Sequence, residues 1–342
     1  MRKYLSQYLD YNSQINLIGF NTAFLSILFT GYYFLFSPNN PFLMASVLGI
    51  LLTAVMMSAT YHDHHSIERN GYGLMTAILA GIAYALGAFT GHSLILSSLF
   101  ILCVFPWAAL IDTKNVLLFW LLFYICDAYI IGFGVSKSHL SYDSALHYAL
   151  YYMIGGIALI ATGFVRIYIR HTTLKITDSK PTFQYKQILS LTRYRFIFAF
   201  SMTVTVLIAN AFAHSLSGNA SFWITMTTFI LFKQNDDVSL TRTINRIVGT
   251  FIGCLLTFVL FYFFSSPWFL IASLFVTIYL TIIANSKHYA SYTFFLTIAV
   301  ILIMSIIEKS TFDIILARFF DTIVAVFFVS IALLCMKKFQ PQ

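Results

Sequence analysis

The sequence predicts an all-α polytopic membrane protein with about twelve transmembrane helices. Only 9% of its residues are charged and 59% are hydrophobic, whereas an average soluble domain has roughly 25% charged residues. Apolar runs recur along all 342 residues, and a spanning helix needs about 20 apolar residues. About twelve such helices with short loops occupy the whole chain, so the composition leaves no room for a separate soluble catalytic domain.

The apolar runs place the spans one after another along the chain. In order, they cover residues 15–36, 41–60, 72–91, 93–111, 116–135, 146–168, 196–214, 220–233, 246–264, 267–284, 289–307 and 314–336. The longest polar segment, Arg166 to Arg195, falls between the sixth and seventh spans. It divides the chain into a first six-helix repeat (1–168), a cytoplasmic linker (169–195) and a second six-helix repeat (196–342).

Each repeat is preceded by a segment with one apolar face, which predicts an amphipathic helix lying in the membrane interface. These faces comprise Tyr4, Leu5, Tyr8 and Leu9 before the first span, and Phe183, Ile188, Leu189 and Leu191 before the seventh. The last spans of the two halves also align loosely, with Asp143 and Asp313 near their starts. Two six-span halves of the same orientation form a parallel repeat, a plan common among transporters.

Lysine and arginine residues fall almost wholly on one side of the predicted membrane. Only Lys137 and Lys309 lie in loops on the opposite side. By the positive-inside rule the basic side is cytoplasmic, and both termini lie on it. The net charge of +8 is therefore a topology signal that matches a lipid bilayer, and it gives little reason to expect a nucleic-acid partner.

Three charged residues lie inside predicted spans, where each costs about 2.5–3.5 kcal/mol on insertion scales. Asp127 is mid-span in "FYICDAYIIG", and Arg318 and Asp321 share one helix face in "ARFFDTIVA". The Arg318–Asp321 pair either neutralises itself and fixes packing, or attracts an anionic substrate through Arg318 while Asp321 orients it or carries a proton. Asp127 is either a carboxyl held neutral against a neighbouring tyrosine or a proton-binding group.

The segment "RTINRIVGTFIGCLL" at 242–256 carries a polar stripe at the mouth of an apolar span. Arg242, Arg246, Gly249 or Thr250, and Gly253 fall on one helical face. Ordinary snorkelling accounts for Arg242. The glycines indicate close packing against another helix, so Arg246 is held by protein and can present a fixed positive charge to an entering anion.

The segment "ATYHDHHSIERNG" at 59–71 groups possible metal ligands, namely His62, Asp63, His64, His65 and Glu68. A membrane desaturase needs several histidine boxes on one face, and the remaining histidines of this chain are scattered over both sides. A polar cytoplasmic loop is the favoured interpretation, and we expect no metal and no cofactor.

The second half resembles the fusaric acid resistance and aromatic acid exporter family. The resemblance rests on an aromatic-Trp start, then R-x-x-x-R-x-x-G-T-x-x-G, then R-x-x-D-T; the matching residues are Phe222, Trp223, Arg242, Arg246, Gly249, Thr250, Gly253, Arg318, Asp321 and Thr322. It implies efflux of organic acids across a bacterial inner membrane, often beside a periplasmic membrane-fusion adaptor protein. It also implies that Trp223 and the three arginines serve the substrate path. The chain has only the 166–195 linker where many members carry a cytoplasmic domain.

The leading hypothesis is therefore a secondary transporter, not an enzyme, that exports an aromatic carboxylate-like organic anion by proton antiport. Arg246 would supply charge at the inner mouth and Arg318 within the bundle, while Asp321 or Asp127 would bind and release the proton. Three alternatives stay open: an anion channel, a permease for uptake of a siderophore-like carboxylate, and a membrane enzyme that uses the cluster at 62–65.

Overall fold

The computed structural model describes residues 2–36, 42–59, 66–111, 115–136, 142–170, 189, 192–216, 222–232, 236–264, 266–285, 287–308 and 311–337. Apart from short turns and one isolated β-bridge, these residues form helices, which confirms the all-α prediction. The helices are α1 (Arg2–Phe36), α2 (Phe42–Ala59), α3 (Ser66–Thr90), α4 (Leu94–Leu110), α5 (Val116–Ser136), α6 (Tyr142–Arg170), α7 (Arg193–Ser215), α8 (Phe222–Leu231), α9 (Asp236–Phe263), α10 (Pro267–Asn285), α11 (Tyr289–Glu308) and α12 (Thr311–Lys337).

Each predicted span coincides with one of these helices, but the helices differ in length. Over their described residues, eight are long and apolar enough to cross a membrane. The other four, α2, α4, α8 and α11, are also apolar; α4 has 17 residues and α8 has ten. The chain is therefore a multi-pass membrane protein. The ten residues of α8 are all buried and extend only about 15 Å, so α8 alone is too short for a hydrocarbon core of about 30 Å.

The prediction of a separate interfacial helix before the first span was wrong. Helix α1 runs without a break from Arg2 to Phe36. The polar residues 10–14, "DYNSQ", contain neither proline nor glycine, so backbone hydrogen bonding continues through them. The second predicted interfacial segment, 183–191, lies outside the described residues except for Leu189, which forms an isolated antiparallel bridge with Ile111.

The same helix pairs pack in the two halves of the chain. In the first half α2 packs on α6, α3 on α5 and α6, and α1 on α2. In the second half α8 packs on α12, α9 on α11 and α12, and α7 on α8. The halves meet reciprocally, since α1 contacts α10 and α4 contacts α7. An Nη1 atom of Arg195 also donates to the carbonyl oxygen of Ile111 at 2.9 Å, which joins the start of α7 to the end of α4.

Glycines set the closest helix contacts in both halves. A Cβ atom on Gly87 would overlap the carbonyl oxygen of Tyr129, and one on Gly132 would overlap that of Tyr84, so α3 and α5 pack backbone to backbone. Small residues at such contacts are typical of membrane helices, because packing drives their association. This seam occupies in the first half the place that the α9–α11 contact occupies in the second.

Candidate functional site

A cavity lies where the two halves of the chain meet. It has a volume of about 50 Å³, and one buried water needs about 10–15 Å³. The cavity in this state therefore holds a few waters, and a larger solute requires the helices to separate. It is lined by Leu48, Leu51, Leu52 and Val55 of α2, Trp120, Phe123, Tyr124, Asp127 and Ile131 of α5, Trp223, Met226 and Ile230 of α8, Arg242 and Arg246 of α9, Asn285 of α10, Tyr292, Leu296 and Val300 of α11, and Arg318 of α12.

Arg246 faces the cavity because α9 has two different faces. The outer face is exposed and apolar, with Ile244, Val248, Phe251 and Leu255 on the surface, as suits a lipid-facing helix. Arg246 lies on the inner face and is only 1% exposed. Its Nε and Nη1 atoms donate to no acceptor among the described residues. Leaving donors of a buried charged group unsatisfied is costly, so these donors need an acceptor inside the cavity.

Arg318 enters the same cavity from α12. Its side chain is 2% exposed, and its Nε and Nη1 atoms likewise find no acceptor in the described part of the chain. Its guanidinium carbon lies 3.6 Å from the centre of the Trp223 ring. A cation over an indole face at this distance is a favourable cation–π contact. Trp223 therefore fixes one face of the guanidinium and leaves its N–H edge available to a ligand.

Arg242 lines the edge of the cavity, one helical turn before Arg246. It is half-buried, and its guanidinium carbon lies 4.2 Å from the centre of the Tyr289 ring. Its position against this ring on α11 and in the cavity wall differs from that of a snorkelling side chain, which extends along a lipid-facing surface to reach water.

Asp127 comes to the cavity from the first half, on α5. It is 2% exposed, and its Oδ1 atom accepts no hydrogen bond from any described residue. Arg246 and Arg318 are both close enough to interact with its charge. The sequence offered Asp127 no evident charged partner, and folding brings it near two arginines that lie more than a hundred residues away in the chain.

Asp321 is 3% exposed and lies near enough to interact electrostatically with Arg318 on the same helix. It is not among the residues that line the cavity. Thr322 next to it donates from its Oγ1 to the carbonyl oxygen of Arg318 at 2.9 Å. Asp321 therefore interacts with Arg318 from outside the cavity, whereas Asp127 lines the cavity.

Gly249 and Gly253 line the side of α9 that contacts α11. A Cβ atom on Gly249 would overlap Oγ1 of Thr293 and lie 2.7 Å from the carbonyl oxygen of Ala290. Thr293 Oγ1 donates across the seam to the carbonyl oxygen of Asn245 at 3.2 Å. Thr250 is also buried. The seam holds α9 against α11 one turn beyond Arg246.

Several lining residues were not anticipated from the sequence. Asn285 bonds from its Nδ2 atom to Ser58 Oγ at 2.8 Å and so links α10 to α2. The aromatic side chains Trp120, Phe123, Tyr124 and Tyr292 also line the cavity. Nothing distinguishes them in a chain with 36 phenylalanines and 21 tyrosines. His62, Asp63, His64 and His65 lie outside the described residues, as does the side chain of Glu68.

Over the described residues in and beside the cavity, the side-chain charges sum to one positive charge. Among the described residues around the cavity, Arg242, Arg246 and Arg318 are opposed by Asp127 and Asp321, and three positive side chains less two negative ones leave one. An excess charge in an apolar interior is costly unless it is paired. The excess positive charge and the aromatic wall are features that suit an organic anion with an apolar body.

Replacing Trp223 with leucine should weaken anion binding and lower the melting temperature of the solubilised protein, because a desolvated cation–π contact contributes about 2 kcal/mol. Trp223→Phe should retain most of both properties, since it keeps an aromatic face under Arg318. Trp268, which is 64% exposed, provides the matched control, and Trp268→Leu should change neither. Equal melting temperatures and affinities for wild type and Trp223→Leu would contradict a positioning role for this ring.

Comparison with known proteins addresses the second half of the chain. The family model described as fusaric acid resistance protein-like matches residues 192–333. The match covers α7 to α11 and most of α12, and it includes every residue that carries the resemblance in the sequence. Neither a curated protein nor a solved structure matches the chain. The second half, which supplies all three arginines of the cavity, is thus similar to the fusaric acid resistance protein-like family.

Proposed function

We propose that this protein is a secondary transporter that exports an organic anion of the aromatic carboxylate kind across the bacterial inner membrane, coupled to protons. One observation carries the proposal: the buried guanidinium groups of Arg246 and Arg318 face one cavity between the halves, and each has donors unsatisfied by the described residues. A carboxylate accepts two parallel hydrogen bonds from an arginine fork, so it can satisfy these donors.

Alternating access is the transport mode that best suits this cavity. The space of about 50 Å³ is too small for an aromatic acid, so the closed state must open before substrate enters. The two halves have matching helix pairs, and we propose that they are parallel six-helix repeats, 1–168 and 196–342, joined by the linker 169–195. Rocking of one half against the other around a site at their interface is the usual mechanism of such repeats.

The distribution of basic residues supports a topology with both termini in the cytoplasm. In that orientation Arg242 and Arg246 lie toward the cytoplasmic end of α9, where an exported anion enters. A periplasmic membrane-fusion adaptor is the partner that we propose for this arrangement. The same orientation leaves the Arg318 guanidinium deeper in the bundle, beyond the first arginines on the path of the anion.

Transport by proteoliposomes tests the proposed function. Vesicles containing the purified protein should release trapped radiolabelled benzoate, with saturation by unlabelled benzoate, and should retain benzylamine, a cation of similar shape. An uncoupler should alter the benzoate flux if protons are coupled. Equal release of benzoate from protein-free vesicles, or equal release of benzylamine, would overturn the proposal.

Unitary currents in a planar bilayer would indicate an anion channel in place of a carrier, because carrier turnover is too slow to resolve as single openings.

A further inference from the structure

We propose that the ionised carboxylate of Asp127 competes with the substrate anion for Arg246 and Arg318. A proton that neutralises Asp127 removes this competition, so a proton and an anion bind the empty carrier together and cross the membrane in the same direction. The inference rests on the proposed function and specifies the direction in which the proton moves relative to the anion. It differs from proton antiport, in which the proton and the substrate must exclude one another at the site.

The geometry of the cavity makes Asp127 and an anion alternatives. Arg246 and Arg318 are the groups that a substrate carboxylate would engage, and both already interact with the Asp127 carboxyl. These three side chains belong to different helices and line a single small cavity. Ionised Asp127 therefore opposes a second negative charge in the same space. Once a proton neutralises Asp127, both guanidinium groups turn to the anion.

The net charge of the site differs among the empty, singly loaded and doubly loaded carrier, and this difference indicates which of these states can switch between the two sides of the membrane. The empty site, with Asp127 ionised, carries one positive charge. Binding of a proton and a monoanion together leaves that charge unchanged, because the proton removes the charge of Asp127 and the anion replaces it. An anion alone brings the site to zero, and a proton alone brings it to two positive charges. The empty and doubly loaded carriers therefore present the same net charge to the surrounding helices, whereas each singly loaded carrier differs from them by one charge.

Among the described ionisable groups around Asp127, the Asp127 carboxyl is the one that changes protonation state near neutral pH. On α5 itself the neighbours are Tyr124 and Cys126, and the helices packed around it contribute Tyr152 from α6, Arg242 and Arg246 from α9, Tyr292 from α11 and Arg318 from α12. Helices α2 and α8 present no ionisable side chain to the cavity, and α3 and α4 contact α5 through Tyr84 and Phe100. Phenols and thiols are neutral near pH 7, so Asp127 is the group of this set that titrates against the arginines.

The sign of the coupling has consequences for transport. One proton and one monoanion make an electroneutral pair, so a membrane potential neither drives nor opposes their movement. Export then runs down the concentration gradient of the accumulated acid and removes a proton with each anion. An inward proton gradient opposes this export, so efflux proceeds while the outward gradient of the anion exceeds the inward gradient of the proton.

Binding measurements on Asp127→Asn test the inference. For the wild-type protein in detergent, benzoate affinity should rise as the pH falls from about 8 to about 6, where benzoate itself stays ionised, by up to about tenfold per pH unit. Asp127→Asn imitates the protonated carboxyl, so it should bind benzoate with the wild type's low-pH affinity at every pH. Asp313→Asn is the matched control, because Asp313 is exposed at the start of α12 and outside the cavity; it should titrate like wild type.

Flux measurements on the same variant separate the possible results. In proteoliposomes Asp127→Asn should exchange external for internal benzoate and lose net efflux, because its empty state carries an extra positive charge. Wild-type affinity that is independent of pH, or that rises with pH, would overturn the inference while leaving an anion transporter in place. An absence of benzoate binding at any pH would overturn the proposed function, and the inference with it.

Discussion

Arg318→Gln should abolish benzoate transport while the protein still inserts and folds. The substitution removes one of three positive charges around the cavity, so the two remaining arginines are balanced by Asp127 and Asp321 and no excess charge is left for a substrate. Truncating one partner of a buried charge pair costs about 3 kcal/mol, which weakens benzoate binding roughly 100-fold. Calorimetric titration of the solubilised variant and proteoliposome flux are the measurements.

A double variant distinguishes a charge role of Arg318 from a structural one. Arg318→Gln combined with Asp127→Asn again leaves one positive charge at the site, so benzoate binding should recover in part relative to Arg318→Gln alone. Arg193→Gln provides the matched control, because Arg193 is exposed at the start of α7 and its loss should leave affinity unchanged. Wild-type affinity in Arg318→Gln would remove this residue from the site, and no recovery in the double variant would contradict the charge balance.

Gly249→Ala should destabilise the protein by about 1–3 kcal/mol, the usual cost of overpacking a filled interface. The new methyl group would overlap Oγ1 of Thr293 and press on the backbone of α11 at Ala290. A side chain can rotate away, but the backbone of α11 moves only if the whole helix moves. Since Arg246 lies one turn earlier on α9, separation of the helices also displaces its guanidinium, and benzoate affinity should fall together with the melting temperature.

Two other glycines, which are less crowded than Gly249, serve as comparison sites for this substitution. A Cβ atom on Gly31 meets nothing within 4 Å, and one on Gly253 meets its nearest atoms at 3.0 Å. Gly31→Ala should therefore be neutral or stabilising, because alanine favours a helix by about 1 kcal/mol over glycine. Gly253→Ala should fall between the two. If Gly249→Ala melts at the same temperature as Gly31→Ala, the tight α9–α11 seam does not support the site.

Hydrophobicity was sufficient to predict most of the fold, because each membrane helix satisfies its own backbone hydrogen bonds and reveals itself as an apolar run. The places of all twelve helices followed from such runs. The prediction failed where the polarity of a segment changes without a helix-breaking residue, as in α1 between residues 10 and 14. Helix lengths were predicted less well than helix positions, because α8 is a short, fully buried helix whose apolar sequence resembles that of a span.

Candidate site residues could be chosen from the sequence wherever their chemistry was out of place in an apolar chain. Arg246, Arg318 and Asp127 stood out because a charge in a span is costly. Trp223 followed from the resemblance to the family. By contrast, Tyr124, Tyr292 and Trp120 have the composition of any membrane helix, and only their position in the cavity wall distinguishes them.

The order of residues along the chain thus decides that this is a helical membrane protein and which side chains are too polar for lipid, because both are properties of single segments. Which of those charges meet is a property of packing between segments. Asp127 from one half comes near Arg246 and Arg318 of the other through contacts among α5, α8, α9 and α12. Asp321, although closer in sequence to Arg318, does not line the cavity. Local spacing relates neighbours on one helix, whereas a site between helices depends on tertiary structure.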